Sequence, residues 1–191
     1  MMEAITVDGS TMLLLSILAI AVWIDIRHHR IPNVLSLGGI ALGTALQASV
    51  SGLSGLAAGL AGAAVAIGIL LPFYLFRGMG AGDVKLMGAV GAFLGPHMVL
   101  LATGLSLFAG GVLALLILIA RGGLRPLARR YWATLKCLLI TRKFIHEPPG
   151  KGEVAAMKFP YAAAIGIGTL AAIMWLFTLP DLSGFISLLT R

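Results

Sequence analysis

From Met98 to Ala120 the chain carries no charged side chain, and runs of the same kind recur along most of its length. At about 1.5 Å of rise per residue, roughly 20 apolar residues in a helix cross the ~30 Å hydrocarbon core of a bilayer. Backbone in hydrocarbon has to satisfy its own N–H and C=O groups, so such runs fold as helices. The composition agrees. Of 191 residues, 59% are hydrophobic and 11% charged, with a mean hydropathy of +1.02, whereas a soluble domain carries roughly 25% charged residues. The sequence predicts an all-α polytopic membrane protein with six transmembrane helices in a single integral-membrane domain, 1–191. No separate soluble domain fits.

The first run, Thr11 to Ile26, ends in Trp23-Ile24-Asp25-Ile26 and meets Arg27-His28-His29-Arg30. Tryptophan followed by a basic cluster suits the cytoplasmic interface, and Pro32 disfavours helix at Ile31. The start lacks a positive n-region, so this helix is read as retained and not as a removed signal peptide. Helices two and three are expected near Val34–Val50 and Leu53–Phe76, joined by a chargeless loop around Gln47 to Ser54. Gly39 and Gly43, then Gly55, Gly59 and Gly62, have the spacing that lets backbones approach in lipid. A glycine-lined transport path is the other reading of that pattern. Val84 to Leu94 spans only eleven residues before Gly95-Pro96, about 16 Å of helix. Helix four is therefore short, and its Asp83 end is expected in a water-filled recess. Met98–Ala120 and about Pro160–Leu179 complete the six, with proline suited to a first turn.

The net charge of +7 is arranged by side. With the amino terminus outside, the basic clusters after helices one, three and five all fall in the cytoplasm, and Arg191 alone does not. Glu3, Asp8 and Asp181 stay outside, as the positive-inside rule requires. The cytoplasmic basic loop, about 121–158, begins with an amphipathic pattern over Leu124 to Ile140. This pattern predicts an interfacial helix on an anionic inner leaflet, in preference to a nucleic-acid site. One cysteine, Cys137, excludes an internal disulfide and a multi-cysteine zinc site. The four histidines are scattered, and neither a metal nor a cofactor is expected. His28 and His29 are read as interfacial.

Between the third and fourth runs lies Gly78-Met79-Gly80-Ala81-Gly82-Asp83-Val84-Lys85-Leu86. Alternating glycines supply backbone that can bend and be approached closely, and an acid beside hydrocarbon needs a reason. Only Asp83 and Asp25 sit at membrane boundaries next to sequence breaks, both on the predicted cytoplasmic side. Two carboxylates brought together can share one proton, the ionised member activating water while its partner donates to a carbonyl. The alternatives are an N-cap role for Asp83, pairing of Asp25 with Arg27, and a small proton-coupled transporter.

Asp25 with Arg30-Ile31-Pro32-Asn33, together with Gly80-Ala81-Gly82-Asp83-Val84-Lys85-Leu86, resembles the type IV prepilin peptidase family, membrane aspartic peptidases with a GxGD motif. Lys158-Phe159-Pro160-Tyr161-Ala162 resembles a third, less specific family element. The resemblance implies an endopeptidase of the bacterial inner membrane that removes the basic leader of prepilins or pseudopilins on the cytoplasmic side. Asp25 and Asp83 would be catalytic. Gly80, Gly82, Lys85, Pro32, Asn33, Lys158 and Pro160 would shape the site or bind substrate. Longer members carry a cytoplasmic insertion between the first two spans, usually with paired CxxC motifs, and many also methylate the new amino terminus. The short link here, Arg27 to Asn33, resembles the Flp-type, tight-adherence subtype and makes methylation doubtful. The oligomeric state is not encoded in any motif.

Overall fold

The computed structural model describes residues 9–76, 78–120, 132 and 161–178, and all of its regular structure is helical. Four helices follow in order: α1 (Gly9–His28), α2 (Asn33–Leu75), α3 (Ala81–Ala120) and α4 (Tyr161–Thr178). The first three are each long and apolar enough to cross a membrane. One compact unit holds the described residues up to Gly110 together with α4; a second takes in 111–120 and Trp132. The predicted interfacial helix at 124–140 lies outside the described residues, apart from Trp132.

As a straight rod the 43 residues of α2 would reach about 65 Å, twice a bilayer core. Gly52 prevents this. Its φ of 61° and ψ of −135° interrupt the helical backbone, a conformation that glycine alone adopts at low cost. The arms 33–51 and 53–75 then fold back on one another. A Cβ at Gly59 would stand 3.0 Å from the Cα of Thr44, and one at Gly55 would overlap the Gln47 carbonyl. The expected loop of Gln47 to Ser54 is thus too long: helical turns continue to either side of a single-residue break. Glycine needs fewer linking residues than an uncharged sequence suggests.

A second break falls where the Gly95-Pro96 pair predicts it. Gly95 has φ 76° and ψ 176°, and Pro96 has no N–H to donate. The backbone carbonyls just before the break lose helical partners, and one of them is supplied from elsewhere. Gln47 Nε2 donates to the Phe93 carbonyl at 2.9 Å across 46 residues of chain.

Lipid is as apolar as leucine, so helices in a membrane gain from close packing more than from hiding hydrocarbon. The interior accordingly uses small residues where helices meet. Gly39 packs on Ala89, and Gly43 on Ala92 and Phe93; Gly62 and Gly91 meet so closely that a Cβ on either would overlap the other's carbonyl. The glycine spacing is therefore a packing device. Leu14, Leu70, Leu86, Met87, Val90, Val99 and Ile165 complete the core. Ile20, Leu60, Leu100 and Phe108, each at least half exposed, form an outer surface suited to hydrocarbon.

Gly52→Ala should destabilise the detergent-solubilised protein by about 1–3 kcal/mol, the usual cost of forcing a side chain into such a backbone region. Gly38→Ala, at an open helical position, should be neutral or stabilising by up to about 1 kcal/mol. Thermal unfolding of the two variants side by side checks this; indistinguishable Tm values would contradict the break at Gly52.

Candidate active site

Asp25 is buried because of where it falls on α1. The inward stripe of that helix runs Leu14, Ile17, Leu18, Ala21, Asp25, a spacing of three and four that follows one helical face. The acid takes the last place on this stripe, at 6% exposure. An unpartnered carboxylate there would be costly. Its partner comes from α4: the Ala162 N–H donates to Asp25 Oδ2 at 3.2 Å, across 137 residues of chain. Ala162 is the second residue of α4, where a helix has N–H groups with no partner of their own. Asp25 does not turn to Arg27, whose guanidinium lies 4.3 Å over the Trp23 ring.

The glycine stretch assigns its residues different tasks. Gly78 N–H donates to the Phe73 carbonyl at 2.9 Å, closing the end of α2 in the six-to-one pattern of a Schellman cap. Gly80 opens α3: its carbonyl accepts from the N–H groups of Asp83 and Val84, at 3.2 and 3.3 Å. In return Asp83 Oδ2 accepts from Gly80 N–H at 3.2 Å, half of a capping box. Asp83 is therefore the third helical residue and not the N-cap itself. Gly82 provides room, since a Cβ there would sit 3.2 Å from the Cβ of Ile31.

The link between α1 and α2 is thus pressed against the start of α3. His29, with φ 49°, ends α1, its N–H donating to the Asp25 carbonyl at 2.8 Å. Pro32 is the N-cap of α2, and its carbonyl receives Leu35 and Ser36. Lys85 Nζ donates to Asn33 Oδ1 at 3.0 Å, tying α3 to the first turn of α2.

Asp25, Pro32, Asn33, Gly80, Gly82, Asp83 and Lys85 are in this way gathered at one end of the helices. Asp25 and Asp83 lie within Coulombic reach of each other, as do Asp83 and Tyr161. Each carboxylate has one oxygen held by a backbone amide, and the second accepts no hydrogen bond among the described residues. Lys158 and Pro160 lie outside the described residues. The sequence reading missed Ala162, which orients Asp25, and Tyr161, whose ring packs on Gly110 and whose hydroxyl is 3.5 Å from the Ser106 carbonyl. The Pro160-Tyr161-Ala162 string was the available signal, but nothing in it says which helix it meets.

Apolar helices with two acids brought together at one end define a membrane protein with a candidate hydrolytic site. A sequence profile of the type IV leader peptidase family matches residues 12–115, just over half of the chain. The chain belongs to the type IV leader peptidase family and is a peptidase. No curated protein and no solved structure matches it. The matched region contains both aspartates; the α4 contact to Asp25 lies beyond it.

Asp25→Ala leaves the buried Ala162 N–H without an acceptor and should cost about 1–3 kcal/mol of stability. Asp25→Asn retains an acceptor oxygen and should unfold within about 1 kcal/mol of the parent. Equal losses in both variants, measured by thermal unfolding in detergent, would argue against the bond to α4.

Proposed function

We propose that the chain is an aspartic endopeptidase that removes the leader from type IV prepilins or pseudopilins at the cytoplasmic face of the bacterial inner membrane. The observation that supports this reading most is that Asp25 and Asp83 stand near enough to interact electrostatically. Each comes from a separate helix and is fixed through one oxygen, with the other oxygen left for chemistry. The mechanism calls for a water between the two unbonded oxygens. The ionised aspartate takes a proton from that water as it attacks the scissile carbonyl, and the neutral aspartate gives its proton to the carbonyl oxygen. Collapse of the tetrahedral species passes a proton to the leaving amine, and the C–N bond breaks. The acid and base roles belong to the pair, which titrates as a unit.

The sidedness rests on charge. Counting α1, the two arms of α2, the two arms of α3 and α4 gives six passes. The breaks at Gly52 and Gly95 then turn outside and the dyad faces the cytoplasm. This agrees with the positive-inside distribution of the sequence. Gly80 and Gly82 let the turn that carries Asp83 close on the Asp83 carboxylate and on Ile31, and the leader is assigned to the backbone beside that turn. Asn33, Lys85 and Pro32 hold the α1–α2 link against that turn. Lys158 and Pro160 are assigned to the approach into α4 by their place in the family element.

Asp25→Asn and Asp83→Asn should each reduce leader removal from a co-expressed prepilin by about 10²–10⁴-fold, the span usual for losing a general acid or base. Complete processing by either variant would reject the mechanism. The link between α1 and α2 carries no cysteine pair, so we expect cleavage without N-methylation. Mass spectrometry of the mature pilin should find a free α-amino group, and a mass higher by one methyl would overturn that part.

A further inference from the structure

Away from the core, α1 and α4 leave an apolar groove between them of about 500 Å³. Its lining includes Ala19, Ala163 and Gly166, whose small side chains leave the space, and the larger Trp23, Ile26 and Ile167. The last three are more than half exposed, at 61%, 56% and 51%. One end of the groove lies at the level of Asp25 along α1. Ala163 follows the residue whose N–H holds Asp25, and Ile26 follows Asp25 itself. Trp23, with Arg27 stacked on its ring, stands at that same end. A tryptophan paired with a cation suits the headgroup level, and Ala19, nearly two turns back along α1, lies toward the hydrocarbon.

We propose that this groove seats the apolar helix of the substrate, the segment that follows the leader, and so delivers the scissile bond to the dyad. The inference rests on the peptidase reading and extends it to how substrate is selected. Two features fix the occupant. The lining is apolar throughout and open to lipid, so what enters does so sideways from the bilayer, as a membrane-embedded helix can. One end of the groove is also level with Asp25: Ile26 is its neighbour on α1, and Ala163 the neighbour of Ala162 on α4. A helix lying in the groove would therefore place the backbone preceding its first turn at the depth of the acid. A substrate with a polar leader, then the scissile bond, then an apolar helix has this order built in. Small residues along the groove let two helices approach, as Gly62 and Gly91 do inside the protein.

The test uses the full chain reconstituted in liposomes with a type IV prepilin that carries its leader. A photo-crosslinking residue placed at Ile167 should capture the prepilin helix. The same residue at Leu60, which is 53% exposed on α2, should not. Ala19→Trp fills the groove nearly two turns from Asp25 and should raise KM for the prepilin by about tenfold with kcat nearly unchanged, the signature of lost substrate binding. Wild-type KM in Ala19→Trp, or crosslinking no stronger from Ile167 than from Leu60, would overturn the groove assignment. Crosslinking of Ile167 only to lipid, or only to a second copy of this chain, would overturn it as well. If the wild-type chain leaves every prepilin tested intact, the peptidase reading itself fails, an outcome distinct from these.

Discussion

Inside a bilayer an amide that leaves its helix has no water to bond with, and much of this structure follows from where its helices are interrupted. Gly78 closes α2 on Phe73, and Gln47 reaches the Phe93 carbonyl at the second break. At the starts of α3 and α4 the exposed groups are N–H donors, which a carboxylate satisfies best because it also faces the positive end of the helix dipole. Asp83 takes the Gly80 amide and Asp25 the Ala162 amide. The two acids are thus structural ligands of helix ends before they are anything else. A carboxylate has two oxygens, and capping consumes one.

In the proposed mechanism this capping also holds the reactive groups on helix termini. α1 packs against both α2 and α4, and its apolar stripe sets the rotation that points Asp25 inward. The Lys85–Asn33 bond and the contact of Gly82 with Ile31 hold the start of α3 against the link after α1. Reactive groups gain most from being positioned in advance, because the cost of orienting them has been met on folding. The glycine contacts serve the same end: Gly62 against Gly91 fixes the helices at backbone distance, where no side chain can rearrange.

How much of this could be read from the residues depended on the range of the interaction. Chargeless runs and Gly-Pro or Ile-Pro pairs are local signals, and they located α1, the end of the short arm at Gly95 and the start of α2 at Pro32. The turn at Gly52 was legible as a change of direction but not as a single residue, because a polar-poor sequence gives no cue to how tightly glycine bends. The N-cap role was the alternative reading of Asp83, which is instead the third helical residue, one oxygen reaching back to the Gly80 N–H, an arrangement that differs from an N-cap only in register. The contact between Asp25 and Ala162 was not legible at all. It joins residues 137 apart in the chain, and only the packing of α4 on α1 creates it.

In the proposed mechanism that long-range contact also links the groove to the site. α4 supplies both the amide that orients Asp25 and, through Ala163 and Gly166, one wall of the apolar groove. A helix settling into the groove presses on α4 within one residue of that amide. A movement of α4 would lengthen the bond to Asp25 and loosen the carboxylate; a helix that fits would hold α4 in place and keep the acid aimed. Asp83, tied within its own helix to Gly80, does not depend on α4 in this way. The proposed dyad therefore has one member set by local backbone and one set by tertiary packing.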